Sequence, residues 1–402
     1  MVANVTIGTK GGVSKKPEDK VGHPLFIIHC VAHKLELAVL DAVKRCPHPP
    51  TFEDTVKAVY KFYYSRKRRR EVSKIANIIG EDAVYYSGLQ KTRWLASRYR
   101  GITALEKHYV TTVMHLQHKT GSTGEDGEHA KGILKKSLSE RFLKHLYFLL
   151  NVMKILSELS KSFQKYELCI TDVVTKLETT VIMLEELKLQ RGGHYRKFME
   201  SYSEETAVFI CGKDHQLKLT HAGNMLDQQF DTFLTVVLTY WKSNRREKPC
   251  SLFRIFDPRE MPQTLAAYGR NEIRSLVQYF GYLLTEKEKE NILDQWPMLG
   301  TRLSRQRANN PVLASRPDDV KGCLVLVDLM MTLSQSTAKY ERSFSAMNQL
   351  ESNVRTRISQ GILVDLMRVP SSDISTKEYC SGPAISHWIL DAKTTGRTVN
   401  SD

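Results

Sequence analysis

The sequence predicts a mainly α-helical protein, and three observations carry that expectation. Apolar residues recur at spacings of three and four over most of the chain, most clearly from Leu134 to Phe163 and from Val173 to Leu187. Only one run, Leu25-Phe-Ile-Ile-His-Cys30, reads as a strand, and a lone strand makes no sheet. The 402 residues are 41% hydrophobic and 26% charged, which is the balance of a folded chain with ample material for a core.

Taken in order, residues 1–23 are turn-rich, with Gly8, Gly11, Gly12, Lys10, Lys15 and Lys16, and are expected to be poorly ordered. The strand at 25–30 passes directly into an amphipathic helix over Ala32 to Val43, where Leu35, Val39 and Ala42 or Val43 share a face. Cys46-Pro-His-Pro-Pro50 stops it. A second helix runs from about Thr51 to Ser65, with Phe52, Val56, Val59 and Phe62 or Tyr63 on one side. Thr120-Gly-Ser-Thr-Gly-Glu-Asp-Gly127 is a Gly-rich break and reads as a flexible loop, because no strand precedes it and no Lys-Ser/Thr pair supports phosphate binding. Leu134 to Phe163 reads as one long helix. Val173 to Leu187 is its antiparallel partner, closed by Gly192-Gly193. Leu303 to Gly322 has the composition of a connector, followed by a helical pair at Cys323 to Leu333 and Lys339 to Met367. From Pro370 the Ser-, Gly- and Thr-rich sequence suggests a mobile tail.

Lys and Arg number 59 against 44 Asp and Glu, giving +15 and a pI near 9.3. The excess is concentrated: residues 1–120 hold 21 basic and 10 acidic residues, a net +11. Such a field favours a polyanion, with nucleic acid the leading candidate. Seven scattered cysteines without CxxC spacing, and an N-terminus without an apolar leader, point to reduced thiols in the cytosol or nucleus. No stretch approaches the 18 apolar residues a membrane helix needs.

Generic enzyme signatures are absent: no phosphate loop, no GxSxG, no HExxH, no strand-embedded GxGxxG. Cys30-x2-His33 could form half a zinc site only if Cys46 and His48 completed it, and Pro47 and Pro49 stiffen that second pair. The simpler reading is a buried thiol beside a hydrogen-bonded imidazole, with no metal. Arg66-Lys-Arg-Arg-Arg70 can be a solvated helix face, a nuclear-import signal or a phosphate-binding patch. Tyr60, Phe62, Tyr63 and Tyr64 precede it, and Lys91, Arg93, Trp94, Arg98 and Arg100 follow. Bidentate arginines beside aromatic stacking surface are what nucleic-acid binding uses.

Near the C-terminus stands Ser336-Thr-Ala-Lys-Tyr-Glu-Arg-Ser-Phe-Ser-Ala-Met-Asn-Gln-Leu350, then Arg355-Thr-Arg357 and Leu363 to Met367. Glu341, Arg342, Phe344, Ser345 and Met347 in this order resemble the C-terminal dimerisation region of hAT-superfamily transposases. Cys30-Val-Ala-His33 resembles the Cys-x2-His element of that family, Thr92-Arg93-Trp94 its Arg-Trp motif, and Phe256-Asp-Pro258 a recurrent segment before its last core helices. The resemblance spans residues 3–369. It implies an incomplete RNase H-like α/β core interrupted by a large all-helical insertion. Residues 1–104 would hold the partial core with its last strand at 24–30, and 105–320 the insertion. Residues 321–369 would hold the C-terminal core helices and dimerisation region, and 370–402 a flexible tail.

Transposases of this kind cut and join DNA with two divalent ions, Mg or Mn, held by three carboxylates. Glu341 matches the last acid. The middle acid normally opens an Asp-Gly-Ala-x-x-Met-x-Gly element; Ala3, Gly8, Gly12 and Val13 match, but Met1 stands at the Asp, Val2 at the Gly and Thr6 at the Met. The first acid belongs to a strand that would precede Met1. Asp41 and Asp328 read as helix-surface carboxylates rather than substitutes. One carboxylate cannot build a two-metal clamp, so the expectation is a catalytically inactive, transposase-derived nuclear protein without a cofactor, Glu341 being vestigial. DNA or chromatin would be bound weakly through Arg66, Lys67, Arg68, Arg69, Arg70, Arg93 and Trp94. Self-association would run through Leu326, Leu329, Phe344, Leu350, Leu363 and Leu366. Two alternatives stand beside it. One is a protein-interaction scaffold without nucleic-acid binding, whose helical insertion recruits partners such as the transcriptional or SUMO-related complexes the resemblance permits. The other is a fragment of a longer active transposase whose upstream sequence restores both aspartates.

Overall fold

The computed structural model describes residues 19–23, 30–46, 49–82, 86, 94–163, 170–212, 215–221, 226–244, 250–305, 318–333, 338–350, 358–368 and 379–394. They are mainly helical, with one small sheet. The chain divides into two compact units, residues 1–336 and 337–402. The expected strand at 24–30 lies outside the described residues except for Cys30. No helix among the described residues is long and apolar enough to cross a membrane.

The first unit is organised around one helix. In chain order come α1 (Val31–Arg45), α2 (Pro49–Phe62), α3 (Arg66–Ile79), α4 (Trp94–Lys107), α5 (Tyr109–Thr120), α6 (Glu125–Ser137) and α7 (Glu140–Ser162). Of the 23 residues of α7, 16 are buried, so apolar positions run round its whole circumference and it must be central. Helices α1, α2, α4 and α6 cover it from the N-terminal side. From the C-terminal side it is covered by α8 (Ile170–Gln190), α9 (Gly193–Glu200) and α10 (Leu226–Asn244). The resulting core runs from Val31 to Trp241 without a break at residue 104, so the expected core and insertion share one interior.

The single helix expected over 134–163 is two. The first ends at Ser137 and Ser139 caps the second, its hydroxyl accepting from the Phe142 amide (3.1 Å). The break is fixed from outside as well: the Glu140 amide donates to the Thr220 carbonyl (3.0 Å), and the Thr220 amide to the Leu138 carbonyl (2.9 Å). Thr220 follows a sheet that the periodicity did not announce. Strands β1 (Tyr202–Ser203), β2 (Val208–Cys211) and β3 (His215–Lys218) pair antiparallel in that order, with Phe209 opposite Leu217 and Tyr202 opposite Phe209. The register turns Tyr202, Phe209 and Leu217 inward, and Phe198 stacks on Tyr202 and Tyr147. The Gly-rich break is also shorter than expected, because α6 starts at Glu125. Gly127 lies inside its first turn, where a Cβ would stand 2.1 Å from the Ser122 carbonyl oxygen.

A second core follows within the first unit. It joins the 3₁₀ segments Cys250–Phe256 and Pro258–Glu260 to α11 (Arg270–Tyr279), α12 (Glu286–Arg305) and α13 (Lys321–Thr332). Phe256 meets the edge of Trp296, whose indole donates to the Tyr268 carbonyl (2.9 Å). Helix α13 belongs to this core, so the expected boundary at 320/321 falls within one packed body. Both ends of the Leu303–Gly322 connector are helical, since Leu303 lies buried in the last turn of α12 and Gly322 in α13.

The second unit, residues 337–402, holds α14 (Ala338–Leu350), α15 (Gln360–Arg368) and α16 (Gly382–Thr394). The single helix expected over Lys339–Met367 is thus described as two, and part of the segment expected as a mobile tail is helical. Among its described residues only Leu363 is buried.

Buried histidines make the first unit sensitive to acid. Burial pushes His108 and His115 below the ordinary 6.5, against the pull of Glu81 and Glu71. Burial, aided by Lys154 and Lys197, does the same to His194. The unfolded chain therefore takes up protons first, and stability that is complete above about pH 6.5 declines as the pH falls toward the folded-state values. Urea titrations at pH 7.5 and 5.5 should show a lower midpoint in acid, with a smaller drop in His115→Gln.

Candidate nucleic-acid interface

The basic run forms the first turns of α3. Val72 and Ala76 are fully buried and seat the helix against α5, and Gly80 closes it in the left-handed region at φ 74°. At 100° per residue, the exposed positions Arg66, Lys67, Arg70, Lys74, Asn77 and Ile78 fall in one arc of about 120°.

Two of the five expected phosphate contacts are occupied inside the fold. Arg68 donates to the Phe62 carbonyl (3.0 Å), lies over the Phe62 ring at 4.2 Å and pairs with Asp126 at the start of α6. Its guanidinium holds the Asp126 carboxyl below the usual carboxylate range. Arg69 donates from Nε to the Tyr63 carbonyl (2.8 Å). These carbonyls belong to the C-terminal end of α2, where backbone acceptors are left over and cations are favoured. Arg66, Lys67 and Arg70 stay in solvent, joined by Lys74, which charge-run reasoning passed over because it lies beyond the run. The ion pairs formed on α3 among the described residues are Arg68 with Asp126, and Glu71 with Lys119 (2.9 Å) and His115 (3.4 Å).

The aromatic residues expected beside this patch mostly face inward. Phe62 and Tyr63 are buried, Tyr60 is half-buried, and Tyr64 alone of the four is open, at 67% exposure. Tyr63 stacks on Tyr86 at 4.5 Å, and its hydroxyl lies 3.0 Å from His115 Nδ1. Tyr86 meets the Thr112 hydroxyl at 2.5 Å. A proton on His115 Nε2 lets Tyr63 donate to Nδ1 and turns the N–H toward Glu71, so α2, α3 and α5 are joined by a Tyr-His-Glu-Lys chain. Burial raises Tyr63, and Glu71 is held low because Lys119 and His115 outweigh its own desolvation. Tyr63 and His115 are buried and Glu71 and Lys119 partly so, and the chain holds α3 in place.

Further along, Arg98 is also committed, in a bidentate pair with Glu53 of α2 at 15% and 13% side-chain exposure, while Arg100 is exposed. Arg93 lies outside the described residues, as does the side chain of Trp94, which begins α4.

Cys30 is buried at the N-cap of α1 and His33 is exposed one turn on. Cys46 is buried at the opposite end, about 24 Å away at 1.5 Å per residue, so the two thiols cannot share one zinc ion. The Cys46 thiol instead faces the Gln229 carbonyl at 3.7 Å, and burial pushes its pKa up. His48 lies outside the described residues. Phe256-Asp257-Pro258 joins the two cores. Buried Asp257 accepts from the Arg259 amide (3.0 Å) and guanidinium, Arg259 reaches Asp172 of α8 (2.7 Å), and Arg254 bridges Glu260 and Glu178.

Helix α14 carries Glu341, whose side chain lies outside the described residues. Asp41 pairs with Arg45 (3.0 Å), and Asp328 is exposed on α13. Among the described residues no three His, Cys, Asp or Glu side chains gather to hold a metal ion. The residues expected to mediate self-association separate by environment. Leu326 is fully buried in the second core and Leu329 packs against it, so both serve the chain's own interior. In the second unit Leu363 is buried, Leu350 and Leu366 are half-buried, and Phe344 is 62% exposed. No protein-family model matches the chain.

The division within the basic run is measurable. Arg68→Ala should lower the unfolding free energy by about 1–3 kcal/mol in denaturant titrations, because a buried carbonyl and an ion pair lose their partner. The same variant should leave the salt dependence of duplex-DNA binding unchanged.

Proposed function

We propose that this chain is a transposase-derived nuclear protein of hAT descent that binds DNA without cleaving it and self-associates through its C-terminal helices. The observation that carries the DNA reading is the solvent-facing arc of α3, on which Arg66, Lys67, Arg70 and Lys74 stand together while the neighbouring carboxylates Glu71 and Asp126 are held by other cations. Four cations on one helix face, two of them in the first turn at the positive end of the helix dipole, repel one another, and phosphate relieves that repulsion. The reading of no cleavage rests on the resemblance, in which Glu341 is the one metal-binding carboxylate this sequence matches. Exposed cations at 66, 67 and 70 also suit nuclear import.

Fluorescence anisotropy with a duplex oligonucleotide at several salt concentrations tests the DNA reading. Each phosphate contact contributes about −0.9 to the slope of log affinity against log salt, so Arg66→Glu/Lys67→Glu/Arg70→Glu should flatten it by about 2–3. Absent or salt-insensitive binding by the wild-type chain would overturn this half.

Self-association draws on the second unit, where Phe344, Ile362 and Val364 are exposed on α14 and α15. Light scattering after gel filtration should show a concentration-dependent dimer that Phe344→Asp/Ile362→Asp converts to monomer. A second reading, the helical scaffold, is supported by α16, which lies beyond the resembling region and exposes Ile385, Trp388 and Leu390. A chain that stays monomeric at every concentration would remove the dimer and leave that reading.

A further inference from the structure

Independently of the DNA reading, we infer that the groove between α7, α8 and α9 is a docking site for an acidic peptide segment with apolar anchors, which gives the scaffold reading a partner of defined chemistry. The groove has a volume of about 440 Å³, within the roughly 300–1,000 Å³ of ligand clefts. Its floor is apolar: Ile155 of α7 and Leu187 of α8 are buried, and Met183 stands exposed beside them. Ile182 and Leu189, next along α8, are 57% and 84% exposed. At 100° per residue both stand within about 60° of Glu186, which lines the groove, so apolar surface continues over its edge. The mouth is preset by the Asn151 side chain, which donates to the Arg191 carbonyl (3.1 Å) and accepts from the His194 amide (3.0 Å), locking the turn from α8 into α9.

Charge decides the occupant. Lys154, Arg196 and Lys197 line the groove, are exposed, and form no ion pair among the described residues. Burial first, then Lys154 and Lys197, hold His194 of the same groove below its ordinary 6.5, so both lysines act on one point at the α7–α9 junction. Lys197 also pulls on the half-buried Glu106 of α4 without pairing with it. The lining carboxylates, Glu158 and Glu186, lie toward the other end. Asn151 to Glu158 is about 10.5 Å along α7, and α8 runs back beside it from Met183 to Gln190. A continuous phosphate backbone would meet those carboxylates and an apolar floor, so nucleic acid is disfavoured. A peptide can instead place an acidic residue among the three cations and an apolar one on Ile155, Leu187 and Met183, while keeping acids away from Glu158 and Glu186. The span takes about three residues of extended chain at about 3.4 Å each. The exposed cations steer and orient the segment, and the apolar floor supplies the burial that holds it.

Selection of short random peptides displayed on phage, with the full chain as bait, tests the docking site. The wild type should enrich peptides in which Asp or Glu stands within about three residues of Leu, Ile, Phe or Trp. By fluorescence anisotropy a recovered peptide should bind Lys154→Glu/Lys197→Glu roughly 5- to 30-fold more weakly than the wild type, and its wild-type affinity should fall with salt. Met183→Gln should weaken it at every salt concentration. All three side chains are exposed, so these variants keep the fold, which circular dichroism checks. No enrichment, enrichment of basic peptides, or binding that survives both groove variants would overturn the docking site. Loss of peptide binding in Arg66→Glu/Lys67→Glu/Arg70→Glu would overturn it too, by moving the peptide to α3. The DNA reading stands or falls separately, on duplex binding, which both groove variants should leave unchanged.

Discussion

The rest of the first unit depends on the burial of α7. Leu143, Leu146, Val152 and Leu156 have no exposed surface, and they point in different directions around the helix. Burying each such side chain contributes about 1.5–3 kcal/mol, so no arrangement that leaves one side of α7 in water competes with one that sheathes it. The sheath comes from both directions of the chain, with α1, α2 and α4 on one hand and α8, α9 and α10 on the other. Two of the polar groups carried inward are partnered, whereas the Ser157 hydroxyl on α7 has no hydrogen-bond partner among the described residues. Asn151 donates to the Tyr147 and Arg191 carbonyls and accepts from the His194 amide, which fixes the tight turn at Gly192 between α8 and α9. Glu140 meets Lys144 at 2.8 Å.

This packing decides what the basic segment can do. Helix α2 turns Phe52, Val56, Val59 and Phe62 inward, and its carbonyl end is left beside the start of α3. Arg68 and Arg69 are drawn to those carbonyls. Arg66, Lys67 and Arg70, one or two positions away, point outward for no reason other than the helical pitch. One run of five cations thus supplies both a joint between two helices and a charged face. The Tyr63-His115-Glu71-Lys119 chain, buried at its Tyr63 and His115 end, fixes that face in orientation.

Much of the helical layout was legible in the sequence because periodicity reports burial directly. The apolar faces of α1, α2 and α8 fall where Leu35, Val56 and Val181 predict them. What escaped is what periodicity cannot carry. The break at Ser139 is invisible to an apolar pattern that continues across it. It depends on Thr220, some eighty residues away, and on a sheet whose strands are too short to show alternation. Of the candidate site, the region was legible from charge, but not which arginines were free, since Arg68 and Arg98 differ from Arg66 and Arg100 only in the partners the fold places beside them. Leu326 and Phe344 look alike as apolar helix positions, yet one is wholly buried and the other largely exposed.

By itself the sequence determined the mainly helical class, the seats of most helices and the concentration of positive charge in the first third, because local spacing and composition set these. The tertiary structure alone decided that residues before and after position 104 share one interior, that α13 joins the second core, and that Arg66, Lys67, Arg70 and Lys74 are the cations left in solvent. Contacts between residues far apart in the chain make those choices. Whether a given arginine meets a carbonyl, a carboxylate or water is fixed only when a distant element arrives beside it.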